Sequence, residues 1–122
     1  MKTIMIIEDD AAIRDSLQEL LESEGYNIVL AEHGQAALSY LEENQRPDAI
    51  LLDLSMPVMD GKTFLREVCR LFPSLAKLPI IIMTAAGPGE LPHDHSKEKI
   101  LRKPLDVDEL IAKIEMVTEA NV

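Results

Sequence analysis

Short apolar runs and longer segments with helical spacing alternate five times along the chain. The apolar runs predict strands at residues 3–7, 27–31, 49–53, 80–83 and 100–102. Apolar positions spaced three and four residues apart predict helices after Asp10, over 35–44, around 64–72 and after Asp106. The run before Asp53 has no polar alternation, which is typical of a strand that is buried on both faces. The chain therefore reads as five consecutive strand–helix units.

Strand–helix repeats of this kind predict a parallel sheet with helices on both faces, because right-handed crossovers place each helix against the sheet. The fold class is therefore α/β, a flavodoxin-like doubly wound sheet of five strands. We choose the strand order 2-1-3-4-5, which places the first and third strands side by side at the switch point. The fourth helix should be short or irregular, since two glycines and two prolines fall between residues 87 and 92.

Two helices carry clear start signals and apolar faces. Asp10 is expected to cap the first helix and Gly25 to end it. The last helix should begin near Asp106. Their predicted inward positions are Ile13, Leu17, Leu20 and Leu21 in the first helix, and Val107, Leu110, Ile111, Ile114 and Val117 in the last.

Composition restricts the possible functions. The 122 residues suit a single domain, 1–122, with 47% apolar positions. A net charge of −10 without a basic cluster argues against direct binding to nucleic acid or to an anionic membrane surface. No apolar run approaches the ~20 residues of a membrane span, and acids at position 8 argue against a signal peptide, so we expect a cytoplasmic protein. The single cysteine, Cys69, is expected to be a buried thiol.

Four of the five predicted strands end on residues that can handle phosphate or metal. These are Glu8-Asp9, Asp53, Thr84 and Lys103. Because the carboxyl ends of parallel strands form one rim, we expect these side chains to converge. Crowded carboxylates would favour a hard cation, and Mg²⁺ fits best, while an aspartate beside it could be a nucleophile toward phosphorus. Taken singly, each residue is also compatible with an ordinary solvated strand end.

Taken together, these residues resemble the receiver domain of two-component response regulators, and the resemblance covers essentially the whole chain. The matching motifs are Glu8-Asp9 after the first strand, Asp53 in LLDLSMP, the MPVMDG turn, Thr84-Ala85 after the fourth strand and Lys103-Pro104 after the fifth. The resemblance implies a phosphoacceptor signalling domain and not an enzyme, apart from self-phosphorylation and autodephosphorylation. It also implies that a downstream protein or output domain reads the signal.

The resemblance assigns a role to each matching acid. Asp53 would accept a phosphoryl group from the phosphohistidine of a sensor histidine kinase or a phosphotransfer protein. Asp9 and Asp53 would bind Mg²⁺ directly, Glu8 would act through water, and the backbone carbonyl of Ser55 would be a further ligand.

The remaining motifs are implied to bind the phosphoryl group or to shape the site. Thr84 and Lys103 would contact the phosphoryl oxygens, and the Lys103-Pro104 bond resembles the family's cis peptide. Asp60-Gly61 resembles a structural turn.

The segment before Lys103 departs from the family pattern. Ile100 stands where receivers usually carry Tyr or Phe. The segment between Thr84 and Lys103 is shorter than usual in the family and contains Pro88 and Pro92. The alternative function is therefore a receiver-fold interaction module whose output is not controlled by phosphorylation. Two other classes fit poorly. A flavin or nucleotide domain needs a glycine-rich loop after the first strand, and a haloacid-dehalogenase-type enzyme needs a second Asp at the place of Ser55.

Overall fold

The computed structural model describes residues 2–43, 46–53, 63, 66, 67, 70, 79–84, 100–102 and 105–119. Its strands are β1 (Thr3–Ile7), β2 (Asn27–Ala31), β3 (Ala49–Asp53), β4 (Ile80–Thr84) and β5 (Ile100–Arg102). Its helices are α1 (Ala11–Ser23), α2 (Gly34–Glu43) and α3 (Val107–Glu119). The backbone is also helical at positions 63, 66, 67 and 70. None of the helices in the described ranges has both the length and the apolar character needed to cross a bilayer.

The five strands form one parallel sheet in the order β2-β1-β3-β4-β5, which confirms the predicted fold class and strand order. The edge strand β2 is partly exposed, whereas every residue of β3 and β4 is buried. The unbroken apolar run before Asp53 therefore does mark a strand covered on both faces.

Two apolar layers lie on opposite sides of the sheet. One layer packs alternate residues of β1, β3 and β4 against Ala37, Leu38 and Leu41 of α2. The other packs the intervening residues against α1 and α3. Each fully buried isoleucine or leucine contributes about 1.5–3 kcal/mol relative to exposure, so these layers supply the main driving force of the fold.

The predicted ends of α1 and α3 are confirmed. The Asp10 carboxylate accepts a hydrogen bond from the Ile13 amide at 3.1 Å, and the Asp106 carboxylate accepts one from the Glu109 amide at 3.0 Å. Helix α1 ends in a Schellman arrangement in which Gly25 has a φ of 94°. That backbone conformation is accessible to glycine without strain, which explains why the helix ends there.

Two residues predicted to face the core are exposed. Ile13 is 38% exposed and Val107 is 49% exposed. The angle around the helix does not explain this exposure, because successive residues turn by about 100° and Val107 therefore lies only about 20° from Ile114, which is fully buried. Both exposed residues instead lie in the first turn of their helix. The prediction of their burial was wrong because the spacing locates an apolar face but does not show how far along the helix that face is covered.

Several predictions fall outside the described residues. They concern the apolar positions Phe64, Leu65, Val68 and Phe72 of the third predicted helix, the segment 86–99, and the site residues Ser55, Asp60, Gly61, Lys103 and Pro104.

Candidate functional site

Strand register brings two of the predicted acids together. In the pairing of β1 with β3, Ile7 lies opposite Leu52. Continuing that register by one residue places Glu8 opposite Asp53. Because side chains alternate along a strand, Glu8 and Asp53 both continue the series that faces the α1 and α3 layer. The two carboxylates therefore approach each other at the carboxyl end of the sheet.

Asp9 completes a cluster with these two residues. One carboxylate oxygen from each of Glu8, Asp9 and Asp53 lies within 4.8 Å of the others. Glu8 is 1% exposed and Asp53 is 3% exposed, whereas Asp9 is exposed. The site is therefore a buried carboxylate pair that meets solvent on the side of Asp9.

Hydrogen bonds hold the turn between β1 and α1 that carries two of these acids. The Glu8 amide donates to the Ala31 carbonyl of β2 at 3.1 Å, and the Asp10 amide donates to Glu8 Oε1 at 3.3 Å. Arg14 Nη1 donates to the Glu8 carbonyl at 2.9 Å. The Asp10 carboxylate instead caps α1, so neighbouring acids have separate roles: Glu8 and Asp9 belong to the cluster, and Asp10 starts the helix.

The donor set of the cluster suits a hard divalent cation. All three donors are carboxylate oxygens, which are preferred ligands of Mg²⁺. Two direct ligands of Mg²⁺, each at about 2.1 Å, can be at most about 4.2 Å apart. Carboxylate oxygens up to 4.8 Å apart are therefore compatible with two direct ligands and a third carboxylate that binds the ion through water. A cation would also offset the repulsion between three negative charges, two of which are buried.

Thr84 reaches the same rim from the neighbouring strand. Asp53 pairs with Met83 of β4, so Thr84 follows one residue beyond that pair. Thr84 is 4% exposed, which makes it a buried hydroxyl at the end of a central strand. The backbone of Ile100 lies in the predicted strand β5, where it is paired with Ile82 of β4.

Sequence reasoning missed the bond from Arg14 and the way α2 begins. The α2 helix starts at Gly34, one residue earlier than predicted, and His33 Nδ1 accepts a hydrogen bond from the Ala36 amide at 3.1 Å. A polar side chain just before an apolar stripe was the available signal for the cap. For Arg14, the only signal was a cation one turn after an acidic strand end.

Comparison with known proteins identifies the family. A family model described as the response regulator receiver domain matches residues 4–115. The chain belongs to this family. As a receiver domain it is 37% identical over 115 residues to the response regulator MprA of Mycobacterium sp. (strain KMS), covering 91% of this chain and 48% of that protein. The receiver domain thus spans about half the length of the curated relatives that it matches.

Solved structures support the same assignment. The receiver domain of a signal transduction histidine kinase from Syntrophus aciditrophicus is 27% identical, with a TM-score of 0.85, and the match covers 98% of this chain and 92% of that one. The chemotaxis response regulator CheY4 of Vibrio cholerae is 26% identical, with a TM-score of 0.81, over 96% and 98% of the two chains. The resemblance seen in the sequence motifs is therefore confirmed: this is a receiver domain of the two-component type.

Proposed function

We propose that Asp53 accepts a phosphoryl group from a phosphohistidine in a reaction that requires Mg²⁺. The donor would be a sensor histidine kinase or a phosphotransfer protein. The observation that supports this proposal is the cluster of Glu8, Asp9 and Asp53 at the carboxyl end of the sheet. Family membership supports the same chemistry, since Asp53 lies within the matched residues, in the sequence LLDLSMP that resembles the family's acceptor motif.

In the proposed reaction, a carboxylate oxygen of Asp53 attacks phosphorus and forms an acyl phosphate. The phosphorus–nitrogen bond to the donor imidazole breaks, and that nitrogen keeps the electron pair and gains a proton. Bound Mg²⁺ would neutralise charge on the phosphoryl oxygens during transfer. Burial of Asp53 limits the water that reaches the nucleophile, while the exposed side near Asp9 leaves a path for the donor.

The proposal gives the other site residues supporting roles. Asp9 would bind the cation directly together with Asp53, and Glu8 would hold a water ligand. The backbone carbonyl of Ser55 would complete the protein ligands. Thr84, which is buried beside the rim, would donate its hydroxyl to a phosphoryl oxygen, and Lys103 would pair with another.

Three further positions would shape the site or its output. Asp60 and Gly61 would form a supporting turn, and Pro104 would fix the backbone after Lys103. Because Ile100 is aliphatic, the output signal would not depend on rotation of an aromatic side chain at that position. Phosphoryl transfer would take place in the cytoplasm, and a downstream protein or output domain would respond to the phosphorylated state.

Phosphorylation by a small donor tests the acceptor assignment. The protein is incubated with acetyl phosphate and Mg²⁺, and its intact mass is measured. We expect one added phosphate in the wild type and none in Asp53→Asn or in excess EDTA. Asp48→Asn is the matched control, because Asp48 lies at the other end of β3, where its carboxylate accepts the Thr3 amide at 2.8 Å. Undiminished labelling of Asp53→Asn, or labelling in EDTA, would contradict the proposal.

A further inference from the structure

The side chain of Arg14 links helix α1 to the end of β1. Its Nη1 atom donates to the carbonyl oxygen of Glu8 at 2.9 Å, and the side chain is half-buried. That carbonyl belongs to the peptide unit between Glu8 and Asp9. Arg14 therefore binds the short piece of backbone that carries two of the three clustered carboxylates.

The other contacts of this turn hold its flanks. The Glu8 amide is bound to β2 through Ala31, and the Asp10 carboxylate is engaged as the cap of α1. The Asp10 amide also donates to Glu8 Oε1, so both neighbours of Asp9 are held. Asp9 and its two peptide units could still rotate about the line that joins the Cα atoms of Glu8 and Asp10. Such a rotation would swing the exposed Asp9 carboxylate away from the buried one of Asp53. The bond from Arg14 opposes it, because rotation would move the Glu8 carbonyl out of hydrogen-bonding reach.

The geometry matters because of the ion that this site fits. Mg²⁺ requires nearly octahedral ligands at about 2.0–2.1 Å and loses its water reluctantly, so a small displacement of one ligand weakens binding. Arginine suits a holding role, since its guanidinium stays protonated at every ordinary pH. The positive charge of Arg14 has two opposing effects on the site. It reduces the repulsion among the three carboxylates, and it repels a Mg²⁺ ion bound nearby.

We propose that Arg14 is a positioning residue for the metal site, and that its hydrogen bond to the Glu8 carbonyl holds Asp9 in the orientation that binds Mg²⁺. The inference rests on the proposed Mg²⁺ function. In this arrangement, holding Asp9 in place raises the affinity for Mg²⁺ by more than the repulsion between Arg14 and Mg²⁺ lowers it. Partners that orient metal ligands from outside the coordination sphere commonly change metal affinity about 10–100-fold when they are removed.

Three variants test the inference. Arg14→Met removes the donor and the charge but keeps the length of the side chain, and Arg14→Lys restores a charged donor of similar reach. Lys2→Met removes one positive charge beyond the opposite end of β1, roughly 15–20 Å away along the strand, and serves as the charge control. Mg²⁺ dissociation constants are measured by isothermal titration calorimetry at a temperature at which circular dichroism shows every variant folded.

We expect Arg14→Met to raise the Mg²⁺ dissociation constant about tenfold. Arg14→Lys should return to within about threefold of the wild type, and Lys2→Met should be unchanged. Amide resonances of Asp9 and Asp10 in the metal-free protein should shift in Arg14→Met more than in Lys2→Met, which reports the backbone directly.

Two results would overturn the inference. One is an Arg14→Met protein that binds Mg²⁺ as tightly as the wild type or more tightly, because charge repulsion would then outweigh positioning. The other is an Arg14→Lys protein as weak as Arg14→Met, because a restored donor would then have no effect. If the wild type itself does not bind Mg²⁺, the proposed function fails and the positioning role fails with it, whereas normal wild-type binding confines a failure to Arg14.

Discussion

Replacing Asp53 with asparagine should make the metal-free protein more stable. The substitution keeps the size of the side chain and removes one of three carboxylate charges that lie within 4.8 Å of one another. Two unit charges at that separation repel by about 0.9 kcal/mol in bulk water and by about 3.5 kcal/mol at an effective dielectric constant near 20. Asp53 has two such neighbours, of which Glu8 is buried and Asp9 is exposed.

The expected gain is smaller than the sum of these repulsions. Solvent screens the charge of the exposed Asp9. In addition, the polar interactions of the Asp53 carboxylate weaken when a neutral amide replaces it. We therefore expect about 1–3 kcal/mol of added stability. For a chain of this size, each kcal/mol corresponds to about 4 °C in the melting temperature, so the rise should be about 4–12 °C.

The assay is thermal unfolding followed by circular dichroism, first in EDTA and then in Mg²⁺. Saturating Mg²⁺ at about 100 times its dissociation constant would stabilise the wild type by about 2.7 kcal/mol. The variant, which lacks one of the proposed Mg²⁺ ligands, should gain much less, so the difference in melting temperature between the two proteins should shrink or reverse. Asp48→Asn at the other end of β3 should show no gain in EDTA. A lower melting temperature for Asp53→Asn in EDTA would refute the crowding argument.

Three further predictions concern a ligand, a surface pair and the core. Asp9→Asn should raise the Mg²⁺ dissociation constant at least about tenfold, while Asp10→Asn stays within about twofold because asparagine also caps helices; equal losses by calorimetry would contradict this. The hydrogen bond from Arg70 lowers the pKa of Glu67, so this pair stabilises the fold above the ordinary glutamate pKa and stops doing so as the pH falls through the lowered value. Arg70→Gln should raise the Glu67 pKa in an NMR titration, and an unchanged value would count against the pair. Ile114→Ala, at a fully buried position, should cost about 2–5 kcal/mol in urea unfolding, and a cost below about 1 kcal/mol would show that α3 contributes little to the core.

The strands and the two acid positions at their ends could be predicted because burial leaves few choices. A run such as Ala49–Leu52, with no polar residue, is stable only where both faces are covered, so its position in the sheet follows from its composition. Once β1 and β3 are neighbours, the acids that follow them share one rim. The meeting of Glu8 and Asp53 therefore followed from topology without any knowledge of side-chain conformations.

Features that depend on how much of a helix is covered, or on the conformation of a long side chain, could not be predicted in the same way. Ile13 and Val107 have the right spacing, but their exposure depends on how far along each helix the apolar face is covered. The bond from Arg14 depends on several side-chain torsions and on which of five donors is used. Neither kind of information is contained in a pattern of apolar and polar positions.

The alignment of β1 with β3 makes the chemistry of this domain sensitive to chain length. Exchanging one apolar residue for another within Ala49–Leu52 changes packing but leaves Asp53 opposite Glu8. Deleting or inserting a single residue there would move Asp53 by about 3.3 Å and turn it toward the α2 layer, away from its partners. Variation at these positions should therefore consist of substitutions, while the number of residues between the first paired position and each acid stays constant.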